Sequence, residues 1–469
     1  MRSQYTSPEM DWNSKDDAFL NIVLPLMEKY EETFWFADDR VAITQEKANT
    51  QSTPGWTDDL VKIGKIKNDH LKGKYIELER MLSSVVCLHL FYDGTKTAYD
   101  KFISVQTKND CLTWASFQSI HELARRVIKT PALFEAMEAM LIYSDIGKTP
   151  KAREKAKELN ITHQDHDDWI EAVLSQENNA NISKIIPSFF KLATDNKLLL
   201  RKIAMAMKIH LGHVAHLEGG EKMFHKFHSA VSKGMVDPSI LEFAFLIQLC
   251  DVASSAAHEN NKGSLALVEG WYQVYVIVNQ ALQVITKGGN SNEALHFYIT
   301  KRGEQLNLNA SDAQEQLLLR LSCMLRFYNA QNSGLLKEIA KELSESSWSV
   351  LKTQFDLFGG INSWERNPTY VPAVFLNLAR LHADNNEPNR DKLFRALNGF
   401  VCLAKLLEDQ APQNKNNQTP ISFNELAKLA SEKPDYFLIS QFDQSKFRVN
   451  DNNHYVYGEL QNVSLKKHY

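Results

Sequence analysis

The sequence has few cysteines and few prolines, and this shortage limits the kinds of domain it can form. The five cysteines are widely scattered and none forms a CxxC pair. Neither a zinc ribbon nor a disulfide framework is therefore indicated, and a reducing compartment fits this cysteine usage best. Only 13 of the 469 residues are proline, so long helices can run without interruption.

Long apolar runs and an excess of one charge are also missing. No run approaches the ~18–20 apolar residues of a membrane span, and residues 1–17 are polar and acidic, unlike a signal peptide. The chain has 53 basic and 57 acidic residues, a net charge of −4, which gives no overall field to attract nucleic acid or an anionic membrane. We expect a soluble, intracellular and cytoplasmic protein; secretion as an effector stays open.

A helical spacing of apolar residues dominates the sequence. Between residues 76 and 90, the positions Leu78, Leu82, Val85 and Leu90 fall on one face of a helix. Similar segments run at about 18–34, 114–129, 132–144, 166–175, 183–193, 196–217, 239–258, 264–286, 292–303, 311–329, 334–356, 371–383, 390–408 and 423–431. The sequence therefore predicts a mostly α fold.

Polar stretches mark the predicted loops and domain boundaries. They lie at 44–58, 287–293 and 409–420, where turn-forming and small polar residues accumulate. We take the second stretch as the main boundary. The predicted regions are an N-terminal helical region at 1–110, a helical core at 111–290 and a C-terminal helical region at 291–469.

The C-terminal end breaks the helical pattern. Residues 436–442 and 454–460 are rich in β-branched and aromatic side chains, which favour strands. They flank a turn-like run from Asn450 to Asn453. These features predict a small β-hairpin or an extended tail.

One segment places an aspartate and a lysine at the end of an apolar helix. It reads Leu141-Ile-Tyr-Ser-Asp-Ile-Gly-Lys148. An ordinary explanation is that Gly147 ends the helix in the left-handed conformation and Lys148 meets the negative end of the helix dipole. The alternative is a functional site, because other metal-binding residue types occur upstream and downstream of Asp145.

Histidines and aspartates follow one another in a suggestive order around this segment. His121 precedes Asp145, His166 and His213 follow it, and Asp251 ends an almost entirely apolar run. A carboxylate in such a run is costly unless it is paired, hydrogen-bonded or metal-bound. Imidazole and carboxylate groups together suit a catalytic divalent metal.

The order and two local strings resemble the HD-domain phosphohydrolase superfamily. The segment 141–148 resembles the family's apolar-His-Asp-Ile-Gly-Lys signature, and Phe245-Leu-Ile-Gln-Leu-Cys-Asp251 looks like its apolar-Ala-Asp helix. The resemblance covers roughly 114–260. It implies an HD-like helical core around a divalent metal such as iron, manganese, magnesium or zinc.

The resemblance also implies roles for individual residues. The implied metal ligands are His121, Asp145, His166, His213 and Asp251. Metal-bound water would attack a phosphate ester such as a nucleotide, with Asp145, Lys148, His166 and His213 in the catalytic set. Lys148, and Arg125 or Arg126, could hold the phosphate.

The chain departs from the family at Ser144, which stands where the family has the histidine of its His-Asp dyad. This change removes a nitrogen ligand, so another histidine substitutes, the metal is weakly held, or the site is not a metal enzyme. Three hypotheses stay open. The chain is a metal-dependent phosphohydrolase, a catalytically inactive nucleotide-binding module, or a helical scaffold that binds a protein partner.

Overall fold

The computed structural model describes most of the chain up to Leu306 and two short segments near the C-terminus. The described residues are 10–14, 17–38, 55–67, 76–106, 111–161, 166–175, 186–208, 222–254, 264, 267–306, 309, 311, 447–449 and 455–457. Most of them are helical, which confirms the predicted mostly α fold. Within these residues no helix is long and apolar enough to span a membrane.

The helices are numbered here in chain order. A π-helical turn, Phe19–Val23, leads into α1, Leu24–Lys29, and a 3-10 segment covers Glu31–Asp38. The next helices are α2 Trp56–Lys62, α3 Ile76–Asp93, α4 Lys96–Ile103, α5 Trp114–Val127, α6 Pro131–Tyr143, α7 Pro150–Glu158 and α8 His166–Leu174. They are followed by α9 Pro187–Lys191, α10 Thr194–Lys208, α11 Lys222–Ser232, α12 Leu241–Ser254, α13 Glu269–Thr286 and α14 Ser291–Leu306.

Threonines begin several of these helices. Thr95, Thr113, Thr130 and Thr149 precede α4, α5, α6 and α7, and each side-chain oxygen accepts a hydrogen bond from a backbone N–H of the first turn. Such a cap satisfies one of the free N–H groups at a helix start. Thr130 and Thr149 are each followed by proline, whose fixed φ suits the first helical position.

The chain divides into two compact units. The first contains residues 1–212 and 234–273, and the second contains residues 213–233 and 274–469. The predicted limit between residues 290 and 291 lies inside the second unit, in the turn that joins α13 to α14. The three-region division made from the sequence stays a prediction.

Helix α3 lies at the centre of the first unit. It packs against α5, α6 and α12, and Leu78, Leu82 and Val85 are fully buried. These are the residues whose spacing predicted one apolar face. Burial of such side chains contributes ~1.5–3 kcal/mol each, so this packing holds the backbone of α3 against its three neighbours.

The second unit contains α11 packed against α14. His225 Nδ1 lies 2.8 Å from the Ser291 hydroxyl at the start of α14. Two strands, Phe447–Val449 and Tyr455–Tyr457, pair antiparallel. They flank the predicted turn, and the second strand lies within the predicted segment 454–460. The other predicted segment, 436–442, lies outside the described residues.

Candidate functional site

The segment 141–148 ends a buried helix in an unexpected way. Helix α6 stops at Tyr143, and the Ser144 hydroxyl donates a hydrogen bond to the Leu141 carbonyl at 3.0 Å. The chain then makes a 3-10 turn, Ile146–Lys148. The expectation that Gly147 adopts the left-handed conformation is wrong, because its φ is not positive. Gly147 is buried, and the turn carries the chain directly into α7.

This turn directs Asp145 and Lys148 towards α3. The Lys148 ammonium lies 2.8 Å from Asp145 Oδ1, and Arg80 Nη1 lies 3.6 Å from Asp145 Oδ2. Asp145 is buried. A carboxylate in such a position requires neighbouring cations or hydrogen-bond donors. Arg80 and Lys148 supply the cations.

Arg80 also contacts Asp251, on the neighbouring helix α12. Its Nη2 donates a hydrogen bond of 2.5 Å to Asp251 Oδ1. The two aspartates singled out from the sequence therefore meet at one guanidinium group. Glu77, one turn before Arg80 on α3, lies 3.6 Å from the Lys148 ammonium and 4.0 Å from Arg80 Nη1.

We call Glu77, Arg80, Asp145, Lys148 and Asp251 the Arg80 cluster. It holds three carboxylates and two cations, a formal charge of −1 when all five groups are ionised. The five side chains are between 10% and 27% exposed, so the cluster is largely buried but reaches solvent. In this setting each charge interaction is stronger than at an open surface.

The pKa values of the two basic residues are both raised. Attraction by Asp251 is the largest influence on the pKa of Arg80, and it outweighs the effect of burial. Burial and repulsion by Arg80 lower the pKa of Lys148, but attraction by Asp145 and Glu77, together with the hydrogen bond to Asp145, exceeds both effects. Both residues are therefore cations at neutral pH. They can hold an anion but cannot act as general bases.

The metal implied by the resemblance does not fit the described part of the site. Across the described ranges, no group of three or more histidine, cysteine, aspartate or glutamate side chains is arranged to hold a metal ion. Asp145 and Asp251 both contact Arg80, so a cation already lies between these two carboxylates. Ser144 turns its hydroxyl to its own helix and adds no ligand.

Of the three histidines implied as ligands, only His121 has a side chain in the described part of the chain, and it lies away from the Arg80 cluster. His121 Nδ1 lies 2.9 Å from the Phe91 carbonyl, near the end of α3. Phe91 is 11 residues beyond Arg80 on the same helix, a separation of about 16 Å along the axis. The backbone of His166 begins α8, but its side chain and the whole of His213 lie outside the described residues.

The two arginines considered as phosphate ligands have other contacts. The Arg125 guanidinium lies 4.4 Å from the centre of the Tyr92 ring. Arg126 pairs with Glu242 at 2.9 Å on the surface. Lys148 is thus the one proposed phosphate ligand that the structure places in the Arg80 cluster.

Sequence reasoning missed Glu77 and Arg80. Their three-residue spacing beside the apolar face of α3 is a weak signal that they point to one side. The partner of Arg80 could not be identified from this spacing, because Asp251 is 171 residues away in the chain. Only the packing of α3 against α12 brings them together.

Comparison with known proteins identifies a family but no activity. No curated protein and no solved structure matches the chain. The sequence profile of DUF6829, described as a family of unknown function, matches residues 47–431, more than half of the chain. The chain therefore belongs to the DUF6829 family.

Proposed function

We propose that this chain is a helical binding module for the phosphate group of a nucleotide or another phosphate ester. Arg80 and Lys148 hold the phosphate directly, without a metal ion. The observation that carries the proposal is the convergence of these two cations on Asp145 in a cluster that reaches solvent. Guanidinium and ammonium groups are the side chains that proteins most often use to bind phosphate.

The carboxylates of the cluster determine how an anion can enter. Asp251 is the most exposed member, at 27%, and pairs with Arg80 through one guanidinium nitrogen. A phosphate group can replace its carboxylate on Arg80 while Lys148 remains beside Asp145. Arg80 Nε is buried and has no hydrogen-bond partner among the described residues. A buried donor without a partner costs about 1–3 kcal/mol, so a small rearrangement that brings a phosphate oxygen to Nε is favoured.

Calorimetry on metal-free protein tests this proposal. Nucleotides and inorganic phosphate are titrated into protein kept in EDTA, and product formation is followed in parallel. We expect binding without turnover. Lys148→Gln removes a charge-assisted contact of about 1.5–3 kcal/mol, so the affinity should fall by about tenfold or more.

Lys62→Gln is a matched control. Lys62 pairs with Asp59 at the same three-residue spacing and at 2.7 Å, but Lys62 is 60% exposed and lies on α2. Its replacement should leave the affinity unchanged. Binding that requires an added divalent metal would support the metal-dependent hydrolase instead. If no phosphate compound binds to folded protein, the scaffold hypothesis is favoured.

A further inference from the structure

A basic helix begins directly after the turn that carries Lys148. Helix α7 contains four basic residues, Lys151, Arg153, Lys155 and Lys157, and two acidic residues, Glu154 and Glu158. It is therefore a locally positive element in a chain whose net charge is −4. Its buried residues are Ala152 and Ala156.

Two of the four basic side chains have partners on or near α7. The Lys155 ammonium pairs with Glu158 at 2.6 Å. The Lys151 ammonium lies 5.3 Å from the centre of the Trp35 ring, a cation–π distance. Each of these two lysines therefore has a partner within the protein itself.

The other two basic residues of α7, Arg153 and Lys157, differ from Lys151 and Lys155 in their contacts. The Arg153 guanidinium donates a hydrogen bond of 2.8 Å to the backbone carbonyl of Lys148, so it lies against the turn of the Arg80 cluster. Lys157 is four residues further on, on the same face of the helix and about 6 Å along its axis. Both side chains are exposed. Neither has an ion pair in the part of the chain that the structure describes.

We infer that the ligand of the Arg80 cluster carries a linear chain of phosphates, which extends from Lys148 along Arg153 and Lys157. A single phosphate would contact only the cluster, whereas each further phosphate would meet another cation on α7. This inference rests on the proposed function. It adds the ligand class, an oligophosphate such as a nucleoside triphosphate, and assigns two binding residues outside the cluster.

A nucleotide series tests the inference in the full-length protein without metal. The affinity should rise from nucleoside monophosphate to triphosphate by roughly tenfold, because two exposed charge contacts are added. The gain should shrink as salt is raised, since exposed charges are screened. Inorganic tripolyphosphate should compete with the nucleoside triphosphate.

The double variant Arg153→Gln with Lys157→Gln should bind monophosphate as the native protein does and lose the preference for triphosphate. Arg153→Lys with Lys157→Arg should retain this preference. A double variant of two exposed lysines outside α7, Lys129→Gln with Lys191→Gln, removes the same charge and should also retain it.

The outcomes separate this inference from the proposed function. Equal affinity for monophosphate and triphosphate in the native protein would overturn the inference and leave the proposed function intact. The same conclusion follows if the glutamine double variant keeps the preference or if tripolyphosphate does not compete. A failure of every phosphate compound to bind would overturn both.

Discussion

Replacing Arg80 with methionine should destabilise the first unit because it leaves two carboxylates without their shared cation. Asp145 Oδ2 and Asp251 Oδ1 lie 3.6 and 2.5 Å from the guanidinium. Removing one partner of a buried ion pair costs about 3–5 kcal/mol. The cluster is partly exposed, so solvent screens some of this cost, and we expect about 2–3 kcal/mol.

Urea denaturation measures the loss of stability, and hydrogen exchange shows where it occurs. Because the chain has two compact units, a single global free energy of unfolding is not assured. Exchange should therefore accelerate in peptides that cover α3, the turn at Ile146–Lys148 and α12. Peptides from α14, in the second unit, should be less affected.

Two further variants make the test specific. Arg126→Met breaks a surface pair with Glu242, whose partners are 53% and 39% exposed, and should cost no more than about 1 kcal/mol. Asp145 keeps its ion pair with Lys148 in Arg80→Met, whereas Asp251 loses the cation that it contacts at 2.5 Å. Adding Asp251→Asn to Arg80→Met therefore removes the charge that lost its partner and should restore at least half of the loss. An Arg80→Met effect below about 0.5 kcal/mol, as for an ordinary surface position, would refute the reasoning.

Three other predictions concern residues outside the Arg80 cluster. Burial raises the pKa of the Glu79 carboxyl from 4.5 to about 7. Between these pH values the folded state holds a proton that the unfolded state has lost, so the free energy of unfolding should fall by about 3 kcal/mol as pH rises through this range. Urea midpoints at pH 5 and 8 should show this loss in the native protein but not in Glu79→Gln. Gly94 has a φ of +69°, and a Cβ there would overlap the His121 ring, whereas Gly64 has a φ of +72° and open space around it. Gly94→Ala should therefore lower the thermal midpoint more than Gly64→Ala, and equal shifts would contradict the steric argument. Burial raises the pKa of the Cys87 thiol to about 12, so alkylation at pH 8 should modify Cys87 only after unfolding, whereas rapid modification of the folded protein would show that the thiol is accessible.

The helices that could be predicted from the sequence are those that bury one apolar face. The segments predicted at 76–90, 114–129 and 132–144 correspond to α3, α5 and α6. Each presents large apolar side chains to the core, and the helical spacing of these side chains in the sequence predicts which face is buried. Tertiary packing and sequence pattern therefore agree in these elements.

Helices with little apolar surface could not be predicted in this way. In α7 only Ala152 and Ala156 are buried, so no strong apolar period marks it. Helix α2 begins at Trp56, inside the polar stretch 44–58, for which the sequence predicts a loop. Buried Trp56 and Leu60 hold this short helix, and the tertiary contacts of two residues leave no periodic pattern.

The sequence singled out two residues of the candidate site, Asp145 and Asp251, but could not predict which side chain contacts them. The cost of a carboxylate in an apolar run singled out Asp251, and the end of a buried helix singled out Asp145. The cation that both contact, Arg80, lies on a third helix, and the sequence cannot show which distant residues packing will bring together. A resemblance that implies a metal at these carboxylates could not anticipate a guanidinium group there.

The most direct test of the account is the effect of Asp251→Asn on the binding of a nucleotide to protein kept in EDTA. Asparagine keeps the shape and an oxygen acceptor for Arg80 but removes one negative charge. If Arg80 and Lys148 bind phosphate directly, the variant should bind more tightly than the native protein, because a competing carboxylate charge is gone. Weaker binding, or binding that appears only after a divalent metal is added to the native protein and is lost in the variant, would contradict the account.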